Sequence, residues 1–161
     1  MLVVKLRQMS KIAKYLNGHI LGEVSARESR LRHFSTDRSI LKIEPRIVVY
    51  PRVVDDIRKI MRFSWQLAEK KHILGVTVRG FGGSTDGSSV GDGIVVDLSR
   101  HLDGIKELDL KNKTVKVQAG ANFSKMNLAI GAHAMNVLQS PAGEMLTVGG
   151  AIAMNLPSQK F

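Results

Sequence analysis

The sequence predicts an α+β fold, an N-terminal βαβ subdomain followed by an incomplete second subdomain of mainly antiparallel strands, and three observations carry that expectation. The apolar run Ile47-Val48-Val49-Tyr50 is followed by helical periodicity over 53–71 and then by Gly75-Val76-Thr77-Val78, the strand, helix, strand order of a parallel unit. A glycine-rich stretch, 79–89, lies between two apolar runs, so its ends are fixed in a sheet. Two alternating segments, 105–109 and 114–118, flank the polar turn Leu110-Lys111-Asn112-Lys113 and read as a β-hairpin.

In chain order, Leu2, Leu6, Met9, Ile12, Ala13 and Leu16 recur at spacings of three and four with Lys and Arg between them, which predicts an amphipathic helix ended by Asn17-Gly18. Ser25 is placed to cap a second short helix through Arg32. Pro51 closes the run 47–50. In the helix 53–71, Val53, Val54, Ile57, Ile60, Met61, Trp65 and Ala68 form the apolar positions, and Asp55-Asp56 sit in the first turn, where the helix dipole favours acids. Gly93-Ile94-Val95-Val96-Asp97-Leu98 reads as a buried strand. Asn122 is a cap for a helix through Ile130, Asn136-Val137-Leu138 suits a strand, and the small residues of 147–155 suit a turn whose backbone approaches a ligand closely.

Composition narrows the function classes. A chain of 161 residues supports one compact domain, taken here as 1–161, burying roughly 70% of its unfolded surface. No apolar run reaches the roughly 18 residues needed to span a bilayer, and Lys5 and Arg7 interrupt the N-terminal run too early for a signal peptide, so a cytoplasmic protein without a transmembrane segment is expected. With no cysteine, thiolate metal sites, disulfides and a cysteine nucleophile are excluded within the chain. Redox chemistry would have to come from a bound cofactor. The net charge of +10 is concentrated in residues 1–72, with sixteen Lys or Arg against seven Asp or Glu. No aromatic residue is interleaved there as a base-stacking platform requires, and no nucleic-acid partner is expected. His19, His33, His72, His101 and His133 lack zinc-type pairing; no catalytic or metal-binding residue is assigned.

The loop Arg79-Gly80-Phe81-Gly82-Gly83-Ser84-Thr85-Asp86-Gly87-Ser88-Ser89 carries the chemistry. Glycines let successive N–H groups turn toward one anion without a Cβ in the way, and each amide on a phosphate oxygen is worth about 1.5–3 kcal/mol. Ser84, Thr85 and Ser88 add hydroxyl donors. The plain alternative is a flexible surface turn. No Gly-Lys-Ser/Thr follows, and the loop enters a strand rather than a helix, so neither the P-loop nor the Rossmann fingerprint fits. Arg79 is placed either to neutralise an anion or to pair with Asp97 or another nearby carboxylate; Asp86, Asp92 and Asp97 suit bonds to the loop backbone or a ribose.

These features in this order resemble the FAD-binding PCMH-type domain of the FAD-linked oxidases, in the glycolate oxidase and D-lactate dehydrogenase branch. The resemblance rests on Asp37-Arg38-Ser39, on Pro45 to Pro51 with Val54-Asp55-Asp56-Ile57, and on the glycine loop with Gly91 to Ser99 behind it. It extends through Val117-Gln118-Ala119-Gly120, Pro141-Ala142-Gly143-Glu144 and 147–155. It implies non-covalently bound FAD, with Arg79, Gly80, Phe81, Gly82, Gly83, Ser84 and Gly87 at the diphosphate and Pro141, Gly143, Thr147, Gly149, Gly150 and Asn155 in the stretch that wraps the cofactor. Phe81 stands where the family usually has glycine, Gly83 where many members have Thr, and Ser88 where this branch often has Gln. Members that attach flavin covalently through the loop carry His at the position of Gly83.

The function so implied is the FAD-binding portion of an oxidoreductase acting on a small 2-hydroxy acid such as glycolate or D-lactate. The family pattern continues beyond Asn155 into strands and a substrate domain absent from these residues. That implies an incomplete second subdomain and self-association or a partner chain, against which a compact monomer in sedimentation would count. A flavin-domain fragment without turnover is the alternative; a basic nucleic-acid or anion-binding module, marked by steep salt dependence, is a third.

Overall fold

The computed structural model describes residues 11–135 and 146–156. The chain divides into two compact units, Met1–Asp97 and Leu98–Phe161. The first carries α1 (described over 11–17), β1 (Glu23–Ser25), α2 (Glu28–His33), β2 (Ile47–Tyr50), α3 (Val54–Glu69), β3 (Val76–Arg79) and β4 (Ile94–Asp97). The second carries β5 (Ile105–Asp109), β6 (Thr114–Val117), α4 (Phe123–Gly131) and α5 (Val148–Ala153). The part of the first predicted helix before residue 11, the strand expected at 136–138, and Pro141 and Gly143 lie outside the described residues.

In the first unit the strands follow the order β1-β2-β4-β3. β2 and β3 are each parallel to β4, and β1 is antiparallel to β2. The βαβ unit is therefore present, but its two strands are not a hydrogen-bonded pair as expected: β4 lies between them. Burial gives the reason. All four residues of β2 and of β4 are buried, as central strands require, whereas Thr77 is only partly buried and Val78 is exposed, which suits β3 to an edge. The fourteen residues 80–93 thus form the whole crossover between two adjacent parallel strands, and the glycine loop leaves the carboxyl end of β3.

Val48, Tyr50 and Val95 share one face of the sheet and pack with Phe34 and Leu31 from α2 and its end; Phe34 meets Tyr50 edge-on at 5.9 Å. Alternation sends Ile47, Val49, Ile94 and Val96 to the other face, equally buried. Leu16 of α1 and Ile60 of α3 are also buried, and Tyr15 stacks on Phe63 at 5.2 Å to join the two helices. Asp56 is fully buried at the third position of α3, where its carboxylate accepts from the amides of Leu21 (2.9 Å), Arg52 (2.9 Å) and Val53 (3.4 Å). It closes the helix start and fixes the strand approach at once. Ser25 does not cap α2. It lies in β1, and the helix begins after Arg27 with no side-chain cap, because pairing of 23–25 with 48–50 takes Ser25 into the sheet.

In the second unit β5 and β6 form the expected hairpin, with a register irregularity between Ile105 and Glu107. Asn122 caps α4 by accepting from the Lys125 amide at 2.7 Å. Val115 and Val117 from β6, Leu146 and Val148 pack against Phe123, Met126 and Ala151. The small-residue stretch expected to be a turn instead winds into the short helix α5, capped by Thr147, whose Oγ1 accepts from the Gly150 amide at 3.2 Å. Glycine weakens a helix by about 1 kcal/mol per residue, so packing decides here. A Cβ at Gly149 would stand 2.8 Å from the Cβ of Ala119, so only glycine lets the helix lie this close.

Candidate functional site

The amides of residues 81–85 and 87 donate to no acceptor among the described residues, although the chain on either side is firmly held. Gly82 (φ 70°) and Gly87 (φ 84°) are in the left-handed region, where a side chain is strained. Space is also closed to a side chain at both: a Cβ at Gly82 would lie 2.2 Å from Nη2 of Arg79, and one at Gly87 would lie 2.4 Å from Cδ1 of Leu41. A row of amides with no acceptor among the described residues, on a loop that alternates exposed and half-buried residues, has the donors that a nest for an anion requires.

The far side of the loop is closed by its own polar residues. Ser84 Oγ bonds to Asp86 Oδ1 and to Ser88 Oγ (2.9 Å), and the Ser88 amide donates to Asp86 Oδ1 at 3.0 Å and to Ser84 Oγ at 3.2 Å. The hydrogen bond from the Ser84 hydroxyl, followed by those from Ser88, holds the Asp86 carboxyl below the usual carboxylate range. The sequence reading that such acids bond the loop backbone describes Asp86 well.

Arg79 does not project into the nest. Its residue is only 6% exposed, and the guanidinium turns back beneath Gly82, where Nη1 donates to the carbonyls of Thr36 (2.9 Å) and Ser89 (3.3 Å). Its Cζ lies 5.1 Å from the centre of the Phe34 ring, a cation–π placement. Arg79 and Asp97 are register partners on adjacent strands. Burial lowers the guanidinium pKa, and the charges of Asp37 and Asp97 oppose that shift. The guanidinium is thus held by backbone carbonyls in the field of two carboxylates.

A second segment, unassigned by sequence reasoning as part of this loop's support, lines it. Asp37 accepts from the Ser39 amide (2.8 Å) and from Ser89 Oγ (2.9 Å), and the Arg38 amide donates to the Ser84 carbonyl at 3.0 Å. Desolvation pushes the Asp37 carboxyl up, but the bonds from Ser39 and Ser89 together outweigh it and leave the group below its ordinary value. Asp37-Arg38-Ser39 is visible as a motif, yet neither its partner Ser89 nor its place beside the loop can be read from spacing, since Asp37 and Ser89 are 52 residues apart.

The second predicted stretch has different geometry. The amides of Val148 and Gly149 donate to the carbonyls of Ala121 (2.8 Å) and Ala119 (2.9 Å), Gly150 donates to Thr147, and Asn155 donates to Ile152 at 3.1 Å. Thr147 is buried, and Asn155 is exposed with a φ of 47°. Among the described residues no group of three or more His, Cys, Asp or Glu is placed to hold a metal, and no helix is long and apolar enough to cross a membrane.

Comparison with known proteins matches residues 45–160 to the family described as the FAD binding domain. The D-2-hydroxyglutarate dehydrogenase of Pseudomonas putida is 32% identical over 144 residues, which are 89% of this chain and 14% of that protein. The mitochondrial D-lactate dehydrogenase [cytochrome] 1 of Saccharomyces cerevisiae is 26% identical over 127 residues, 75% of this chain and 20% of that protein. The chain thus spans a small part of the length of these relatives. Among solved structures, an alkyldihydroxyacetonephosphate synthase shares the fold with a TM-score of 0.76 at 14% identity, over 89% of this chain and 29% of that one. The BBE-like 1 protein of Physcomitrella patens does so at 0.72 and 19%, over 86% and 30%.

Proposed function

The chain belongs to the FAD binding domain family, and from that premise we propose that loop 80–88 holds the FAD diphosphate in the flavin-anchoring part of a dehydrogenase that oxidises a 2-hydroxy acid. D-2-hydroxyglutarate, D-lactate and glycolate are the substrates this reading favours, on the similarity to the D-2-hydroxyglutarate and D-lactate dehydrogenases. The observation that carries it is the row of amides at 81–85 and 87 with no acceptor among the described residues. A diphosphate supplies the acceptors that these donors lack, and its charge strengthens each bond.

In this reading Gly80, Phe81, Gly82, Gly83, Ser84 and Gly87 present the diphosphate cradle. Thr147, Gly149, Gly150 and Asn155, with Pro141 and Gly143, belong to the stretch that wraps the rest of the cofactor. The amides of Gly149 and Gly150 are already bonded within the protein, so these two glycines contribute close backbone approach more than free donors. Gly83 offers no nucleophile for a covalent flavin link, consistent with FAD held by non-covalent contacts. Bound FAD supplies a two-electron acceptor for oxidation of the hydroxy acid. The positive charge concentrated in residues 1–72 adds a field that draws anionic cofactor and substrate toward the protein. A cytoplasmic setting belongs to the same reading.

Visible absorption of the purified chain, mixed with excess FAD and then desalted, tests the proposal. A retained flavin band, absent for Gly82→Asp because the added carboxylate repels the diphosphate and displaces Arg79, is the expected outcome. A folded wild-type chain that retains no flavin overturns it.

A further inference from the structure

We propose that Arg79 and Asp37 are positioning residues that lock the loop into its anion-accepting shape before any ligand arrives, and that Arg79 acts on the bound anion through the loop rather than by touching it. This deepens the diphosphate reading and rests on it for the identity of the anion. The guanidinium stands at the meeting point of three segments. It donates to Thr36 at the start of one, to Ser89 at the end of the loop, and lies under Gly82 at the loop's middle. Asp37 joins the same segments by a second route, through Ser89 Oγ and the Ser39 amide, while the Arg38 amide holds the Ser84 carbonyl.

The consequence lies in the direction of the peptide groups. The Ser84 carbonyl turns toward the protein, to Arg38, and the Thr85 amide of the same peptide donates to no acceptor among the described residues; the Ser89 carbonyl turns to Arg79, and the Val90 amide of that peptide bonds back to Gly87 and closes the loop. A peptide whose carbonyl is held inward has its N–H directed oppositely, because the two are antiparallel across a planar trans peptide. Pinning the Ser84 carbonyl from below therefore aims the Thr85 amide outward, while the bond from Arg79 to Ser89 fixes the end of the loop. Glycine at 82 is needed for the same reason, since any Cβ there would occupy the space of the guanidinium. A donor row held in place before binding avoids the ordering cost that a floppy loop would carry.

Amide hydrogen exchange in the FAD-free chain separates this role from direct ligation. The reporters are Arg38, bonded to Ser84, and Val90, bonded to Gly87 at 3.3 Å. Arg79→Met is expected to reduce their protection by about tenfold or more, the equivalent of one lost bond to a charged group. Arg79→Lys, which keeps the charge between Asp37 and Asp97 but not the fork, should restore part of it. Ser89→Ala, a small change that leaves the cation in place, should reduce protection a few-fold by removing a donor to Asp37, on the order of one modest hydrogen bond. FAD affinity is expected to fall in the same order. Unchanged protection in all three FAD-free variants, with FAD affinity reduced only in those at Arg79, overturns the lock and makes Arg79 a direct ligand. A wild-type chain that binds no FAD, with protection lost in the variants as expected, sinks the diphosphate reading and leaves the lock supported.

Discussion

The loop 80–88 and the stretch 147–155 are both built around paired glycines, and they use them in opposite ways. In the first, Gly82 at positive φ leaves room for a guanidinium beneath it, and the amides around it have no acceptor among the described residues. In the second, Gly149 lets α5 press against Ala119, and its amide and that of Gly150 are satisfied within the protein. Glycine richness alone therefore does not mark a ligand-binding backbone. Where the neighbouring peptide groups point, and what already occupies them, decides it.

The largest expected effect that sharpens the contrast is that of Gly82→Ala. A left-handed non-glycine residue costs roughly 1–2 kcal/mol, and the new methyl also displaces Arg79. FAD affinity should fall by about 10- to 100-fold, as measured by fluorescence titration; an unchanged affinity would break the comparison at its first term. Gly149→Val comes next. Forcing a branched side chain against the Ala119 backbone should destabilise the second unit by about 1–3 kcal/mol, seen as a lower thermal midpoint and lost protection at the Ala151 amide. A neutral result would mean that α5 can move away from Ala119, and that glycine there is not a packing requirement.

The smallest effect is acid sensitivity. Asp86 in the loop and Asp109 in the β5–β6 turn are both held below the ordinary carboxylate range. For Asp86 the Ser84 hydroxyl is the leading cause, and for Asp109 it is the Asn112 amide, which donates to Oδ1 at 2.9 Å. A carboxyl depressed in the folded state contributes order that is present above its unfolded value, about 3.9 for Asp, and is lost as the pH falls through the lower folded value. Titration should therefore show each carboxyl ionising below that value, with the Ser88 and Asn112 amides loosening together with their carboxyls. Carboxyl titration at the ordinary value in either place would remove that turn from the account.

Sequence pattern was informative wherever local chemistry fixes local structure. The runs at 47–50 and 94–97, the periodic helix of 54–69, the hairpin and the Asn122 cap all follow from side chains a few residues apart. What pattern could not show is neighbourhood. β1 is three residues long and gains its strand character from β2, and the insertion of β4 between β2 and β3 depends on which strands are buried on both faces. The glycine loop was recognisable as a loop fixed between two strands, but the inward turn of Arg79 was not. Its partners at Thr36, Phe34 and Ser89 are brought close only by the sheet. The helix at 148–153 was missed because two glycines argue against it locally and Ala119, about thirty residues away, argues for it in space.

The strand order has a bearing on how the protein is made. β4 is the last strand of the first sheet to leave the ribosome, yet it is the one that both β2 and β3 pair with. At translation speeds of about 5–20 residues per second, a nascent chain exposed only as far as residue 93 has β1 as a partner for one edge of β2 but no partner for β3 and none for the inner edge of β2. The glycine loop emerges during that interval, still without the strand that closes its far end. The loop can take its final form only after Asp97 has emerged, so the loop and the sheet that carries it mature in the same step of synthesis.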